Sequence, residues 1–452
     1  MFPSSNFFLK STWNPWEYYY VHSLPNPFPY PSLMLFILTP FQFIANLLPE
    51  NYYLDNLIFK LPLLAADLVV FFILTKLFPA RSKEVLALYF ASPIIFYASY
   101  VHSQLDMIPT ALILLALYFV IKEKPFVSSI IFGLALSTKF HVAAALPLIL
   151  IYLWKKKVNP LTYLLVSIFT FGILLLPYIN SIEFFNFVFK NKEQQQVLSV
   201  NFPIENLHIY LAVLVVVLIY IRFLMYSKVN KDLLFSYIGL LFACFLVFVP
   251  PMPGWYMWII PFLFTYFINA FQFNNERIFI LDAVFSLSYL LYFIFFHRTD
   301  LNDILIGGTP LHLKINSTDL KNVSYTILAG CLITVVYYLY NHGVRSNSIY
   351  KNSQQAFTIG IGGDSGVGKS TLLEDIKLLL NDKKMLEIEG DGDHKWERGD
   401  SNWEEYTHLN PKANHLHRQS EHLSSLKRGG TIERIVYDHV TGKFTSPYPY
   451  EV

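Results

Sequence analysis

The residues with the clearest chemical pattern lie near the C-terminal end of the sequence. A short β-prone run that begins at Phe357 ends in a loop of the form G-x-x-x-x-G-K-S, and a helical pattern follows. Glycines let such a loop approach an anion, and the positive end of the helix dipole faces the same point. The pattern predicts a P-loop that binds Mg-ATP, with Lys369 on the β and γ phosphates and the Ser370 hydroxyl as a magnesium ligand. The predicted ATP contacts are Gly363, Asp364, Ser365, Gly366, Val367, Gly368, Lys369, Ser370 and Thr371.

A candidate catalytic base follows the run Met385 to Gly390, which reads as a buried strand of a parallel sheet. Asp391 comes directly after this run, at the edge where open α/β sheets bind ligands. An aspartate that faces the γ-phosphate can take the proton of an attacking hydroxyl. A solvated acidic turn is the alternative, and we favour it more for Asp393 than for Asp391.

The residues after this point suggest an acceptor-binding surface. The histidine-rich stretch Pro411 to Leu426 is predicted to be helical and to present cations to an acceptor rather than to bind zinc. Gly429 and Gly430 end this helix. Two strands are expected next, Thr431 to Tyr437 and Lys443 to Thr445, joined as a hairpin with Gly442 at the turn.

The upstream part of the chain has a different composition and is expected to lie in a membrane. The whole chain is 54% hydrophobic and only 15% charged, against about 25% charged in an average globular protein. Its two cysteines lie in apolar runs and imply no disulfide framework. Apolar runs of about 17 to 22 residues can cross the bilayer as helices, and about eleven such spans are predicted. They are Leu57 to Leu77, Glu84 to Val101, Leu105 to Ile121, Val127 to Leu136, Val142 to Trp154, Leu161 to Ile179, Leu207 to Tyr226, Leu233 to Val249, Trp255 to Phe271, Ile278 to Phe296 and Val323 to Tyr340.

Charge in the connecting loops predicts the orientation of these spans. Lys and Arg fall in every second loop, and by the positive-inside rule those loops are cytoplasmic. The excess of cations upstream is therefore interpreted as a topology signal, and nucleic acid is not expected as a partner. We expect a multi-pass integral membrane protein in contact with the lipid bilayer, with the P-loop domain in the cytoplasm.

The sequence thus predicts an α-helical polytopic membrane bundle followed by a small, incomplete α/β P-loop NTPase domain. The expected divisions are an external loop and interfacial segment (1–56), a transmembrane bundle (57–341), a linker (342–356) and the P-loop domain (357–452). The last part is short for a doubly wound nucleotide domain, and an outside start implies a missing span. We therefore expect either a fragment at both ends or a domain that a partner completes.

Three predicted outward-facing segments carry side chains that could do chemistry. They read S-Q-L-D-M-I-P, S-T-K-F-H and P-G-W-Y-M-W. Asp106 in the first could hold a metal ion or a phosphate-bound metal, with Gln104 or His102 beside it, or it could merely stabilise a helix N-terminus. Lys139 in the second could pair with a lipid phosphate or extend its ammonium to the interface.

In that order along the chain, these segments resemble the GT-C membrane glycosyltransferases, particularly mannosyltransferase-like members with a G-Q-x-D-x-x-P loop. The resemblance covers roughly Asn14 to Asn341 and implies transfer of a sugar from a polyprenyl-phosphate donor. It assigns Asp106 to the catalytic carboxylate of the second external loop and Lys139 to the donor phosphate. The family has its base, an Asp, in the first external loop, where Glu17 is the carboxylate available here.

The C-terminal part, Phe357 to Phe444, resembles the phosphoribulokinase/uridine kinase family. Besides the P-loop, the family has G-D-x-x-H, H-x-x-P-x-A-N and Y-D-x-x-T-G segments. These are met here by Gly390, Asp391, His394, His408, Pro411, Ala413, Asn414, Tyr437, Asp438, Thr441 and Gly442. The resemblance implies that Asp391 is the catalytic base and that a small-molecule hydroxyl acceptor contacts His394, Arg398, His408, Tyr437 and Asp438.

The function predicted from the sequence is a kinase fused to a glycosyltransferase bundle. The kinase would transfer the ATP γ-phosphate to a hydroxyl of a nucleoside, pentose phosphate or polyol. One alternative is a nucleotide-gated transporter, in which Lys60, Asp67 and Asp282 line a pathway. Another is a catalytically inactive ATP-binding remnant.

Overall fold

The computed structural model divides into two compact units, unit 1 (Met1–Ser348) and unit 2 (Ile349–Val452). It describes residues 8–9, 13–24, 28–49, 51–191, 195–271, 277–297, 305–306, 309–353, 357–364, 366–380, 385–407, 410–427 and 430–450.

Unit 1 is built mainly from helices. Its α-helices are Pro15–Val21, Ser32–Leu47, Tyr52–Leu77, Ser82–Val85, Pro93–Ile95, Met107–Ile121, Pro125–Leu136, Leu146–Lys155, Pro160–Leu175, Ile182–Val188, Leu211–Leu224, Lys231–Phe248, Ile260–Phe271, Arg277–Leu291 and Thr318–Ser353. Short 3₁₀ segments lie at Pro79–Arg81, Phe140–Ala145, Leu176–Tyr178, Gln196–Leu198 and Pro253–Trp258, and π-helical segments at Leu86–Phe90, Phe96–Val101 and Tyr292–Phe296. Antiparallel strand pairs join Asn201–Ile204 to Leu207–Tyr210 and Leu305–Ile306 to Thr309–Pro310.

The number of membrane spans is smaller in the structure than the eleven predicted. Within the described residues, five helices are long and apolar enough to cross a membrane, or up to six if one bent pair is a single span. The five are Tyr53–Leu77, Pro160–Tyr178, Lys231–Phe248, Phe279–Phe296 and Thr318–Tyr350, and the bent pair is Pro79–Phe90 with Pro93–Val101. Other predicted spans are apolar helices of 10–17 residues. At about 1.5 Å per residue these are shorter than a hydrocarbon layer of about 30 Å.

The helix Met107–Ile121 lies at the centre of unit 1 because it is apolar on every side. It packs between the helices Tyr52–Leu77 and Pro125–Leu136. The second of these approaches the helix Pro160–Leu175 so closely that a Cβ on Gly133 would lie 2.6 Å from the Ser167 carbonyl oxygen. Asp106 lies at the N-terminal end of this central helix.

A buried carboxylate joins two other parts of the bundle. Asp67 is 1% exposed, and it accepts hydrogen bonds from the hydroxyls of Tyr89 at 2.8 Å and Tyr100 at 2.7 Å. A buried carboxylate is costly unless such donors satisfy it. Asp67 therefore ties the helix Tyr52–Leu77 to the broken helical segment that ends at Val101.

Unit 2 contains three α-helices and two small antiparallel sheets in its described residues. The helices are Lys369–Leu379, Ser401–Glu405 and Leu416–Lys427, with 3₁₀ turns at Gly390–Asp393 and Pro411–Ala413. One sheet pairs Ile432–Arg434 with Tyr448–Tyr450. The other pairs Tyr437–Asp438 with Lys443–Phe444, which is the predicted hairpin, and Gly442 at its turn has φ +70°.

The two runs predicted to be strands of a parallel sheet are not strands in the structure. The described residues 357–364 and 385–389 form no strand. Their apolar side chains have little packing, since Phe357 is 89% exposed and Met385 is 39% exposed. A parallel strand is stable only when neighbouring strands pair with it and other elements cover its faces. These two runs lack such neighbours within the part of unit 2 that the structure describes.

Candidate functional site

A cavity of about 400 Å³ lies in unit 1, where the three predicted outward-facing segments meet. Its lining combines a few polar side chains with a larger number of apolar and aromatic ones. The lining residues are Pro29, Tyr30, Pro31, Gln104, Asp106, Lys139, Phe140, His141, Ala144, Asn191, Val197, Phe245, Val249, Met252, Trp255 and Trp258.

Asp106 and Lys139 form an ion pair on the wall of this cavity. The Lys139 ammonium donates to Asp106 Oδ1 at 2.5 Å, and the two side chains are 20% and 0% exposed. The Asp106 side chain makes no capping hydrogen bond within the described part of the chain, although the residue precedes the helix Met107–Ile121. The Asp106 carboxylate is thus bound to a cation at the start of the helix and does not cap it by a hydrogen bond.

The third segment is held against the first by two polar contacts. The Trp258 indole N–H donates to Asp106 Oδ1 at 2.7 Å, and the Gly254 backbone N–H donates to the Gln104 amide oxygen at 2.7 Å. A Cβ on Gly254 would lie 2.6 Å from Gln104 Cβ, so only glycine fits this approach. The contacts place an aromatic wall beside the ion pair.

Three aromatic rings also lie close to the Lys139 ammonium. It lies 5.5 Å from the centroid of Tyr30, 6.0 Å from that of Trp255 and 5.3 Å from that of Trp258. Such rings favour a cation electrostatically. Tyr30 was not predicted from the sequence as part of this site.

Glu17, the predicted base, lies elsewhere. It is on the exposed face of the helix Pro15–Val21, where its backbone N–H donates to Asn14 Oδ1 at 3.3 Å. It is not among the described residues that line the cavity. The neighbouring Trp16, by contrast, is fully buried against Tyr178 and Phe184.

In unit 2, the P-loop has the backbone conformation that its glycines allow. Gly366 and Gly368 have φ of +80° and +90°, a region that other residues rarely adopt. The Lys369 ammonium donates to the carbonyl oxygens of Gly363 at 2.8 Å and Asp364 at 2.7 Å. Lys369 and the exposed Ser370 begin the helix Lys369–Leu379, as predicted. The arrangement leaves the helix N-terminus open to an anion.

Asp391 lies between two imidazoles. His394 Nε2 is 3.4 Å from one of its carboxylate oxygens, and His439 Nε2 is 3.0 Å from the other. The Asn414 side chain orients His394, because Asn414 Nδ2 donates to a carbonyl and leaves its oxygen 2.7 Å from His394 Nδ1. His394 Nδ1 is therefore the donor, and its Nε2 faces Asp391.

His439 was not predicted from the sequence. It lies at the tip of the hairpin between Asp438 and Gly442, and only the fold of that hairpin brings it to Asp391. Neither the P-loop pattern nor the position of Asp391 after Gly390 indicates that a histidine of this hairpin lies beside Asp391.

The comparisons with known proteins bear on each unit separately. The family model described as Phosphoribulokinase / Uridine kinase family matches residues 358–450. A phosphoribulokinase of Synechocystis sp. is 36% identical over 93 residues, which are 21% of this chain and 28% of that protein. The chloroplastic phosphoribulokinases of Arabidopsis thaliana and Spinacia oleracea are 29% and 30% identical over 121 and 114 residues, covering 23% and 21% of this chain. These matches cover 30% and 28% of the two plant proteins, so the chain spans less than a third of the length of these curated relatives.

The family model described as Glycosyltransferase family 87 matches residues 28–251. The chain thus joins a glycosyltransferase family 87 region to a phosphoribulokinase/uridine kinase-like domain. Both predicted resemblances are confirmed. The family 87 match includes Asp106 and Lys139 and ends before Trp255 and Trp258, which the structure brings to the same cavity.

In the kinase-like domain, the residues predicted to bind the acceptor lie in different surroundings. Tyr437 is 2% exposed, and its ring contacts those of His394 and His439 edge-on. Arg398 is exposed, and its backbone N–H donates to the Gly442 carbonyl at 2.9 Å. Tyr437 therefore lies beside the two imidazoles that flank Asp391, and Arg398 lies at the turn of the hairpin. His408 and Ser365, also predicted site residues, lie outside the described residues.

The carboxylate of Asp438 is engaged by its own turn. It accepts hydrogen bonds from the Thr441 hydroxyl at 2.7 Å and the Val440 N–H at 2.8 Å. These two bonds, the Thr441 bond first, lower the pKa of Asp438. In this structure Asp438 therefore shapes the hairpin that carries His439.

The predicted cationic helix of the kinase-like domain is only partly cationic. Burial, with a smaller effect of Arg418, lowers the pKa of His415, and burial followed by the charge of Arg434 lowers the pKa of His422. Both shifts favour the neutral imidazole. The Arg418 guanidinium is bound to Asp393 rather than presented to an acceptor.

The interpretation of Asp393 as part of a solvated acidic turn is wrong. Its side chain is almost fully buried and receives Arg418 Nε at 3.1 Å and Arg434 Nη1 at 2.9 Å. Arg434 is itself 4% exposed and donates to the Glu389 carbonyl at 2.6 Å. The pair joins the strand Ile432–Arg434 to the turn that carries Asp391, so it positions the candidate base.

We expect Asp393→Ala to destabilise the kinase-like domain by about 3–5 kcal/mol, because it leaves the buried Arg434 guanidinium without its carboxylate. Hydrogen exchange of the full chain would measure this as lost protection around residues 389–393 and 432–434. Glu404→Ala, which removes an exposed carboxylate of the same unit, is the matched control and should leave protection unchanged. Equal protection in the two variants would contradict a positioning role for Asp393.

Proposed function

We propose that the chain is a membrane enzyme with two transfer activities. Unit 1 transfers a sugar from a polyprenyl-phosphate donor to an acceptor on the outer side of the membrane. Unit 2 transfers the γ-phosphate of Mg-ATP to a hydroxyl of a nucleoside, pentose phosphate or polyol, on the cytoplasmic side. The observation that carries the proposal for unit 1 is the Lys139–Asp106 ion pair in a cavity with many apolar lining residues.

The cavity suits a lipid-linked sugar because its lining has residues that match both parts of such a donor. The apolar lining residues, such as Phe245, Val249 and Met252, can take the first isoprenoid units. The Lys139 ammonium can bind the phosphate and stabilise its negative charge as the bond to the sugar breaks. Asp106 holds the ammonium at this point.

In unit 2 the proposed chemistry is phosphoryl transfer. Lys369 and the P-loop backbone would bind the β and γ phosphates, and Ser370 would bind Mg²⁺, which neutralises the charge that develops on them. Asp391 would take the proton of the acceptor hydroxyl. The two imidazoles beside Asp391 and the exposed Arg398 would bind the acceptor.

ATP binding without transfer is the second candidate for unit 2. The observation that favours it concerns the helix Lys369–Leu379, in which every side chain is at least partly exposed. Within the described residues, little packing therefore holds the start of this helix in the position that transfer would need. The transporter alternative has less support, because both oxygens of Asp67 are occupied by tyrosine hydroxyls.

The test uses the full chain in lipid nanodiscs. We expect it to transfer labelled sugar from at least one of several polyprenyl-phosphate monosaccharides, and labelled γ-phosphate from ATP to at least one of a panel of hydroxyl acceptors. ATP binding without transfer to any acceptor would leave the second candidate for unit 2. Absence of sugar transfer from every donor would overturn the proposal for unit 1.

A further inference from the structure

Two polar groups on the cavity wall of unit 1 have no hydrogen-bond partner among the described residues. One is Asp106 Oδ2, and the other is the imidazole of His141, at both of its ring nitrogens. All three atoms are buried, and both residues line the cavity. Buried polar groups are nearly always hydrogen-bonded, and an unmade bond costs about 1–3 kcal/mol. The wall therefore offers an incomplete set of hydrogen bonds that a ligand can complete.

The orientation of the His141 ring is fixed by aromatic contacts. It stacks on Trp258 with centroids 3.9 Å apart and planes at 11°, and it meets Phe242 edge-on at 5.7 Å. Trp258 also donates to Asp106 Oδ1, so one indole holds both groups in place. Packing on the ring faces leaves the edge nitrogens of His141 as its means of binding a ligand.

The donors and acceptors of these groups define the ligand. Asp106 Oδ2 belongs to an ion-paired carboxylate and can only accept a hydrogen bond, while a neutral imidazole offers one donor and one acceptor. The ligand must therefore bring at least one O–H or N–H to Asp106, an acceptor to the N–H nitrogen of His141 and a donor to its other ring nitrogen. Hydroxyls meet these needs. The phosphodiester of such a donor lipid has no O–H or N–H, so it cannot donate to Asp106 Oδ2 or to the acceptor nitrogen of His141, and it suits the Lys139 ammonium instead.

We propose that Asp106 Oδ2 and His141 bind hydroxyls of the sugar carried by the donor lipid, and that His141 is a determinant of sugar specificity. The inference rests on the proposed sugar transfer of unit 1. It divides the polar lining of the cavity into a phosphate position at Lys139 and a sugar position between Asp106 and His141.

The test compares lipids with and without the sugar. Full-length chain in nanodiscs is titrated with polyprenyl phosphate and with polyprenyl-phosphate mannose, glucose and arabinose. We expect the wild type to prefer one sugar-bearing lipid over polyprenyl phosphate. His141→Phe, which keeps the ring stacking and removes both nitrogens, should weaken binding of that lipid about 10-fold and leave polyprenyl phosphate unchanged. His141→Gln should restore part of the preference, because its amide has a donor and an acceptor.

Three outcomes would overturn the inference, and they are distinguishable. A wild type without any preference for a sugar-bearing lipid would overturn it together with the proposed sugar transfer. A His141→Phe variant that keeps the wild-type preference would overturn the role of His141 alone. Equal weakening of both kinds of lipid in His141→Phe would show that the residue only supports the fold of the cavity.

Discussion

Replacement of Lys139 by Met is expected to destabilise unit 1 by about 3–5 kcal/mol and to abolish sugar transfer. The variant leaves the fully buried Asp106 carboxylate without its cation, in surroundings where an isolated charge is costly. It also removes the group that would stabilise the leaving phosphate. Thermal unfolding in nanodiscs, followed together with the transfer assay, measures the two effects.

A double variant separates the two effects of Lys139. Lys139→Met combined with Asp106→Asn removes both charges, and the asparagine oxygen can still accept from the Trp258 indole. We expect most of the stability to return and the transfer activity to stay absent. Asp106→Asn alone should destabilise less than Lys139→Met, because the ammonium is 20% exposed and can reach water. A Lys139→Met variant as stable as the wild type would contradict the ion pair.

In unit 2, Asp391→Asn is expected to lower kcat for phosphoryl transfer by about 10²–10⁴-fold, since the amide cannot take a proton. Its affinity for ATP should stay unchanged. Lys369→Ala should weaken ATP binding by about 10- to 100-fold, because charged hydrogen bonds to the phosphates are lost. Equilibrium binding of a fluorescent ATP analogue and the labelled-phosphate assay distinguish the two variants.

Asp375→Asn is the matched control for these variants. It removes an exposed carboxylate from the helix that follows Lys369 and should change neither binding nor transfer. A loss of ATP affinity in Asp391→Asn as large as in Lys369→Ala would contradict the assignment of Asp391 as the base. It would indicate instead that this carboxylate supports the nucleotide site.

The cavity of unit 1 could be anticipated from the sequence because its polar residues lie in three short segments with the same predicted orientation. Alternating loop charge placed Gln104, Asp106 and Lys139 on one side of the membrane, and the structure brings them together with Trp258. The span count was harder to predict. Hydropathy gives the length of an apolar run, but 3₁₀ and π segments and proline breaks decide how much of it is a straight helix.

Unit 2 shows what a pattern of residue types cannot give. The P-loop, its helix and the hairpin follow from local signals such as glycine at positive φ. The burial of Asp393 and the approach of His439 to Asp391 depend on pairings between residues more than 40 positions apart. The run Met385 to Gly390 has the composition of a strand, yet strand formation depends on neighbours that its own residues do not specify.

The stacked pair Trp255 and Trp258, with ring centroids 5.1 Å apart and planes at 17°, lies on the cavity wall beside Lys139. A molecule that enters the cavity changes the surroundings of these indoles. The protein therefore contains an intrinsic optical reporter, and changes in its ultraviolet emission or near-ultraviolet dichroism can follow occupancy without any added dye.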